Sequence, residues 1–208
     1  MIPLPVYFYS NRMGRIILLA MEEILGHGDS NAVLKFACLP EYSNQYTACD
    51  LDLKFPFEHI SRFQSAIEST YGSRSGRGLS LRIGRACLKY VLREFGSDLG
   101  LTDPAFRLLP LPARLKIGTE AMAGLFNRFT DQRVSFNVDG KQINWHIERC
   151  PLCWEIQADE PCCTLEVGLL QETLYWMSGG KYYLVEEKSC IACGDSECNI
   201  VIDKIPIN

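Results

Sequence analysis

Cysteine thiols are the residues of this sequence with the clearest capacity for chemistry. Of ten cysteines, seven fall within the last 60 residues. The N-terminal residues 1–5 do not begin an export signal, and thiols in the cytoplasm stay reduced. Reduced thiols at short spacings indicate a metal site before they indicate a disulfide framework. The seven are Cys150, Cys153, Cys162, Cys163, Cys190, Cys193 and Cys198.

The segment 187–198 combines a carboxylate with thiols on both sides of a predicted turn. A turn at Gly194 and Asp195 would join two strand ends and bring the flanking thiols close together. A further thiol from the pair 162–163, at the head of a predicted helix, would complete four-coordination, and Zn²⁺ suits such a tetrahedral set. The helix N-terminus also favours the thiolate form. The candidate ligands are Glu187, Cys190, Cys198 and either Cys162 or Cys163.

Three other interpretations fit the same cysteines. Cys150-x2-Cys153 with Cys190-x2-Cys193 has the spacing of a zinc ribbon. An iron–sulfur cluster is the second alternative, and the third is that the thiols are small buried apolar side chains. If four protein ligands fill the site, the metal is structural, because no position remains for water or substrate.

Composition limits the function classes. The chain has 208 residues, 47% of them apolar and 22% charged, with a formal net charge of -4. These values are typical of a folded domain and unlike those of a disordered chain. A pI near 5.5 without a basic run argues against nucleic-acid binding. No apolar run approaches the roughly 18 residues of a membrane span, so we expect a cytoplasmic protein.

The elements that would position these residues follow from hydrophobic periodicity and from turn residues. Helices precede a hairpin, a further helix and a second pair of strands, an order that predicts an α+β fold with an antiparallel β-sheet packed against several α-helices. We expect one domain over residues 1–208. Helices are predicted at 11–25, 56–70, 79–95, 113–129 and 164–177, strands at 134–138, 143–147, 182–187 and 199–203, a loop at 71–78 and irregular structure at 33–55.

The C-terminal half resembles the 4-vinyl-reductase-like domain. The likeness rests on Cys163-Thr-Leu-Glu-Val-Gly168, on Gly179-Gly180 after the following helix, and on Glu187-x2-Cys190-x2-Cys193-Gly-Asp-x2-Cys198. That family includes sensor domains of aromatic-responsive NtrC-type activators and, more distantly, small subunits of the TRAPP complex. The resemblance implies a TRAPP-subunit-like, ligand-sensor-like architecture, a homodimer, and an apolar pocket beside a structural zinc.

The resemblance also implies a ligand set within a metal-binding subregion at about 160–203. Cys163 is preferred to Cys162 because Gly168 follows it at the family's five-residue interval. One extra residue before Glu187, relative to the family, leaves Glu186 in competition with it. Carried over, the zinc ligands are Cys163, Glu187, Cys190 and Cys198. Cys150 and Cys153 have no counterpart in the family and stand as a second thiol pair.

A pocket for an apolar ligand is expected near Trp145-His146 on the predicted hairpin. An indole N–H or an imidazole facing a cavity would hydrogen-bond a ligand. Strand alternation places the two side chains on opposite faces, so a core tryptophan beside an exposed histidine is the competing interpretation. Phe136 and Trp176 are candidates for the apolar wall.

The function expected from these observations is a zinc-stabilised domain that senses or carries an apolar aromatic or tetrapyrrole-like molecule and acts through a downstream partner protein. The first alternative is an accessory protein or reductase component at the vinyl-reduction step of (bacterio)chlorophyll biosynthesis. The second is a scaffold subunit of a TRAPP-like assembly. No catalytic arrangement and no dinucleotide motif is legible, which favours a non-enzymatic role.

Overall fold

The computed structural model describes residues 6–207, which form helices and short antiparallel strands. No helix in this range is long and apolar enough to span a membrane. In chain order the elements are β1 (Phe8–Ser10), α1 (Asn11–Leu25), α2 (His27–Phe36), β2 (Leu53–Pro56), α3 (Phe57–Tyr71), α4 (Ser73–Phe95), α5 (Pro104–Leu108), α6 (Leu111–Phe129), β3 (Val134–Asp139), β4 (Gln142–Ile147), α7 (Thr164–Ser178), β5 (Val185–Ser189) and β6 (Cys198–Asp203).

Helices α4 and α7 cross at a backbone-to-backbone contact that glycine makes possible. A Cβ atom added to Gly84 would lie 1.9 Å from the carbonyl oxygen of Leu165, and one added to Gly168 would lie 2.0 Å from that of Leu81. No side chain fits such a gap, so the two helices touch through their main chains. This contact fixes the position of α7 and of the cysteines at its N-terminus.

The larger sheet has four antiparallel strands in the order β3-β4-β6-β5. Its central strands alternate between buried and more exposed residues, so that Trp145 of β4 pairs with Ile200 of β6 inside the core. Two residues further along β4, Ile147 pairs with Cys198. The sheet therefore places Cys198 beside the end of β4, where the loop that follows β4 begins.

The α+β class and the hairpin of β3 and β4 are confirmed, whereas the TRAPP-subunit-like architecture is not. Two local predictions are wrong. Residues 27–36 form α2, which overlaps the beginning of the stretch 33–55 that was expected to be irregular. Helix α4 begins at Ser73, inside the loop expected at 71–78. Only Gly72, with φ of 80°, separates α3 from α4. The glycine and arginine residues of the segment 71–78 had indicated a loop. Packing against α3 instead stabilises this segment as the first turns of α4.

Candidate functional site

Six buried cysteines from four separate segments meet at one place. The loop after β4, the N-terminus of α7, the end of β5 and the start of β6 each contribute thiols. Cys193 lies in the same region but is exposed. We call the six the cysteine cluster; its members are Cys150, Cys153, Cys162, Cys163, Cys190 and Cys198.

The sulfur-to-sulfur distances in the cysteine cluster match those of thiolates that share a metal ion. Cys163 Sγ lies 3.4 Å from Cys150 Sγ and 3.8 Å from Cys198 Sγ. Cys198 Sγ lies 3.5 Å from Cys153 Sγ and 3.9 Å from Cys190 Sγ. A tetrahedron with metal–sulfur bonds of about 2.3 Å has edges of about 3.8 Å, whereas a disulfide holds its sulfurs about 2.0 Å apart. The spacing therefore fits direct metal binding by thiolates.

Glu187 faces the cluster from β5. Its Oε2 accepts a hydrogen bond of 2.7 Å from the backbone N–H of Cys163. Its Oε1 is buried and has no hydrogen-bond partner among residues 6–207. Burial, followed by the charge of Cys190, raises the pKa of Glu187 to about 8. A carboxylate held this way has one oxygen fixed by the protein and one left for a ligand.

The turn between β5 and β6 holds two cluster members in place. Gly194, with φ of 98°, adopts the left-handed conformation that closes the turn. Asp195 Oδ2 accepts from the Cys190 N–H at 2.8 Å, and the N–H of Ile191 points to Cys198 Sγ at 3.3 Å. An N–H donor to sulfur stabilises negative charge on that sulfur. The turn expected from the sequence is thus also a source of thiolate stabilisation.

Charge is distributed unevenly over the cluster. Hydrogen bonds from Cys153, Cys162 and other neighbouring thiols lower the pKa of Cys190 below its ordinary value. Interactions with Cys150 and the other thiols, together with burial, raise the pKa of Cys163. A bound cation would displace the protons of the thiols that it contacts.

Helix α3 supports the cluster from the other side. The buried amide of Gln64 donates to the backbone oxygen of Cys162 at 2.8 Å. Cys163 itself is the residue before the first turn of α7, where the helix dipole favours a thiolate. Arg77 of α4 pairs with Glu160, at 2.9 Å, in the segment that leads to the cluster.

The structure gathers the predicted metal ligands Cys163, Glu187, Cys190 and Cys198 within 4.8 Å of one another. It also places Cys150 and Cys153, predicted as a separate pair, in a second overlapping set with Cys163 and Cys198. The sequence had offered Cys150 and Cys153 as metal ligands only in the zinc-ribbon alternative, together with Cys190 and the exposed Cys193. Their grouping with Cys163 and Cys198 was not predicted.

The four residues predicted to line an apolar pocket do not converge. Trp145 is fully buried and packs edge-on against Phe126, and Phe136 pairs with it across β3 and β4. His146 lies on the opposite face of β4, with Nδ1 2.8 Å from Glu197 Oε1. Trp176 stacks on a phenylalanine of α5 at the far end of α7.

A buried carboxyl lies at the centre of the helical core. Glu166 of α7 is 2% exposed, and its Oε1 has no hydrogen-bond partner among the described residues. Burial raises the pKa of Glu166 to about 8; the Trp145 indole N–H opposes this effect without reaching Oε1 in hydrogen-bond geometry. Beside Glu166, between α1, α4, α6 and α7, is a void of about 20 Å³. Sequence reasoning had not singled out this residue, because position 166 falls inside an otherwise regular helix.

The fold is shared with solved structures of H-NOX proteins. "Crystal structure of an H-NOX protein from S. oneidensis in the Fe(II)NO ligation state" has a TM-score of 0.61 and 12% identity, covering 93% of this chain and 98% of that one. "Crystal structure of an oxygen binding H-NOX domain related to soluble guanylate cyclases (oxygen complex)" has a TM-score of 0.55 and 13% identity, covering 93% and 94%. "Modulating Heme Redox Potential Through Protein-Induced Porphyrin Distortion" has a TM-score of 0.60 and 13% identity, covering 93% and 99%.

This chain has the H-NOX fold. No protein-family model and no curated protein matches the sequence. The resemblance to the 4-vinyl-reductase-like domain is therefore wrong, and with it the zinc-stabilised carrier of an apolar ligand and both alternatives drawn from that family. Zn²⁺ as a structural cofactor, predicted from the ligand spacing and from the resemblance, is not supported by the H-NOX structures, whose descriptions name iron and heme. The Cys-Gly-Asp motif suggested the wrong family because it specifies only a local turn, and unrelated families share such turns.

The residues of this chain do not fit a heme in the core. The void of about 20 Å³ is far below the roughly 300–1,000 Å³ of ordinary ligand sites. Of the residue types that ligate heme iron, only Tyr9, Met13 and Cys87 line it. Burial raises the pKa of both Tyr9 and Cys87, so both keep their protons.

Histidine, the remaining common ligand of heme iron, is also absent from that void. The sequence has three histidines, and all lie within the described residues. His27 is exposed, His59 contacts the Tyr42 hydroxyl at 2.8 Å, and His146 contacts Glu197. The core therefore offers no space for a heme and no histidine to ligate its iron; Met13 is the one side chain of the void that could bind iron without losing a proton.

Proposed function

We propose that this chain is a sensor domain of the H-NOX fold that responds to metal occupancy at the cysteine cluster. One observation carries the proposal: buried sulfurs from four segments lie 3.4 to 3.9 Å apart, the spacing of thiolates around a shared ion. Protonated thiols can also be buried as small apolar side chains, so the proposal rests on the spacing of the sulfurs and not on their burial alone.

A metal at this place would tie together parts of the fold that are distant in sequence. The ligands come from the loop after β4, from α7 and from both strands at the sheet edge. Because ligand binding to the folded state alone adds its free energy to stability, occupancy would order the start of α7 and, through the glycine crossing, its contact with α4. The output would pass to a partner protein or to a second copy of the chain.

The test is metal analysis of the full chain purified under reducing, oxygen-free conditions. Elemental analysis across the first-row transition metals, with native mass spectrometry, should find bound metal. A chelator should lower the thermal midpoint and speed hydrogen exchange at the first turns of α7. Cys163→Ser should abolish retention of the metal, whereas Cys193→Ser, a change at an exposed cysteine of the same region, should not. Protein without metal, unaffected by chelator or by added metal ions, would refute the proposal.

Heme-based gas sensing is the second candidate, favoured by the descriptions of the H-NOX structures, which name heme, oxygen and an Fe(II)NO state. The core residues oppose it. Titration of the purified chain with hemin separates the two candidates. A saturable one-to-one Soret band that Cys163→Ser leaves intact would replace the metal-responsive function with a heme-dependent one.

A further inference from the structure

We propose that the cysteine cluster holds two metal ions that share Cys163 and Cys198 as bridging thiolates. The inference rests on the proposed function, since it concerns the same site, and it specifies how many ions that site takes. It follows from two ligand sets that overlap in two residues. The first set is Cys150, Cys153, Cys163 and Cys198, and the second is Cys163, Glu187, Cys190 and Cys198.

Each set by itself has the dimensions of a tetrahedral site. Within either set, every donor atom lies within 4.8 Å of the other three. The shared pair, Cys163 Sγ and Cys198 Sγ, is 3.8 Å apart, which is the edge of a tetrahedron with bonds of about 2.3 Å. Two tetrahedra that share this edge place their ions on opposite sides of it, about 2.6 Å apart.

One ion cannot use all of these donors. A four-coordinate ion in the first set leaves Cys190 and Glu187 without a role, although Cys190 Sγ lies 3.9 Å from Cys198 Sγ and Glu187 Oε1 is buried without a partner among the described residues. A four-coordinate ion in the second set leaves Cys150 and Cys153 fully buried beside it. Two ions engage all six residues.

The charge of the ligand set is compatible with two ions. Five thiolates and one carboxylate carry six negative charges, which two divalent cations reduce to a net charge of about −2, within reach of nearby N–H donors. The Ile191 N–H directed at Cys198 Sγ is such a donor. Cys162, with its sulfur 3.8 Å from Cys190 Sγ, remains outside both sets as a thiol at the rim.

The probe for this proposal is Cd²⁺ alone, added to the metal-free, fully reduced chain. Native mass spectrometry should count two Cd²⁺ per chain, and ¹¹³Cd NMR should give two resonances, one from an all-sulfur site and one shifted by the oxygen of Glu187. Cys153→Ser and Glu187→Gln change one set each without touching the bridging residues. Each should reduce the count from two to one and remove a different resonance. Cys193→Ser should keep both.

The outcomes separate this inference from the proposed function. One Cd²⁺ in the parent chain would overturn the two-ion proposal and leave the metal-responsive site standing. Two Cd²⁺ in both Cys153→Ser and Glu187→Gln would also overturn it, because the assigned ligand sets would then be wrong. No Cd²⁺ in a folded parent chain would overturn both the inference and the proposed function.

Discussion

Replacing Glu166 by glutamine tests whether a neutral carboxyl is built into the helical core. The side chain is 2% exposed, and burial raises its pKa to about 8 from an ordinary value of 4.5. Glutamine has the same shape and no charge at any pH. The variant therefore removes the ionisation of this one group while leaving the packing of α7 nearly unchanged.

The sign and size of the effect follow from linkage. Because the folded-state pKa of Glu166 lies above that of the unfolded chain, the folded state holds the proton more tightly, and stability is lost as the pH rises from about 4.5 to about 8. A difference of about 3.5 pKa units, at ~1.4 kcal/mol for each, corresponds to ~5 kcal/mol. Relative to the parent chain, Glu166→Gln should be nearly neutral at pH 4.5 and more stable by several kcal/mol at pH 9.

Urea unfolding followed by circular dichroism, at half-unit pH intervals, measures this difference. Subtracting parent from variant cancels the titration of the other groups, including the cysteine cluster, provided that the metal content is matched. Glu172→Gln, the same substitution at an open groove on the same helix, is the matched control. A flat difference for Glu166→Gln would mean that the buried carboxyl is stabilised as an anion and would refute the reasoning.

Three further predictions concern the scaffold and the metal. Gly168→Ala should destabilise the fold by ~1–3 kcal/mol in urea denaturation, because the added Cβ would lie 2.0 Å from a carbonyl oxygen. Gly78→Ala, at a position of α4 with open space around it, should be neutral or slightly stabilising in the same measurement. Gln64→Met should lower the free energy of unfolding by ~1–3 kcal/mol, because it removes the hydrogen bond to the Cys162 carbonyl, and it should weaken metal retention. A metal affinity equal to that of the parent chain would contradict the role of Gln64 in supporting the cysteine cluster. Lowering the pH should release the metal, because protons compete for the thiolates, and Glu187→Gln should change the midpoint of release measured with a chromogenic chelator.

Local structure was predictable where a single segment determines it. The three- and four-residue spacing of apolar residues predicted α1 at its observed bounds, Asn11–Leu25, and Asp139-Gly140 predicted the hairpin. The turn at Gly194 was also predictable, because its left-handed conformation depends on residues close in sequence. These elements depend on local preference reinforced by one buried face.

Features that depend on long-range contact were not predictable. The start of α4 was assigned to a loop, yet Gly76 packs so closely against α3 that an added Cβ would lie 2.5 Å from the Glu68 Cα. Glycine there permits contact between helices rather than a turn. Cys150 and Cys153 join the cluster only because β4 ends beside β6 and its loop returns to α7, a consequence of sheet register. The fold family was likewise invisible, since only 12–13% identity connects the chain to the H-NOX structures described above.

The main-chain contact between α4 and α7 is a point about which α7 could rotate as a rigid helix. Gly168, where the helices touch, lies five residues from Cys163 and ten from Ser178, or ~7.5 Å and ~15 Å along a rigid helix. A displacement of the cluster end is therefore doubled at the opposite end, beside the stacked rings of Trp176 and Phe106. A change in ligand geometry at the sulfurs would therefore move that end of α7 further than it moves the cluster end.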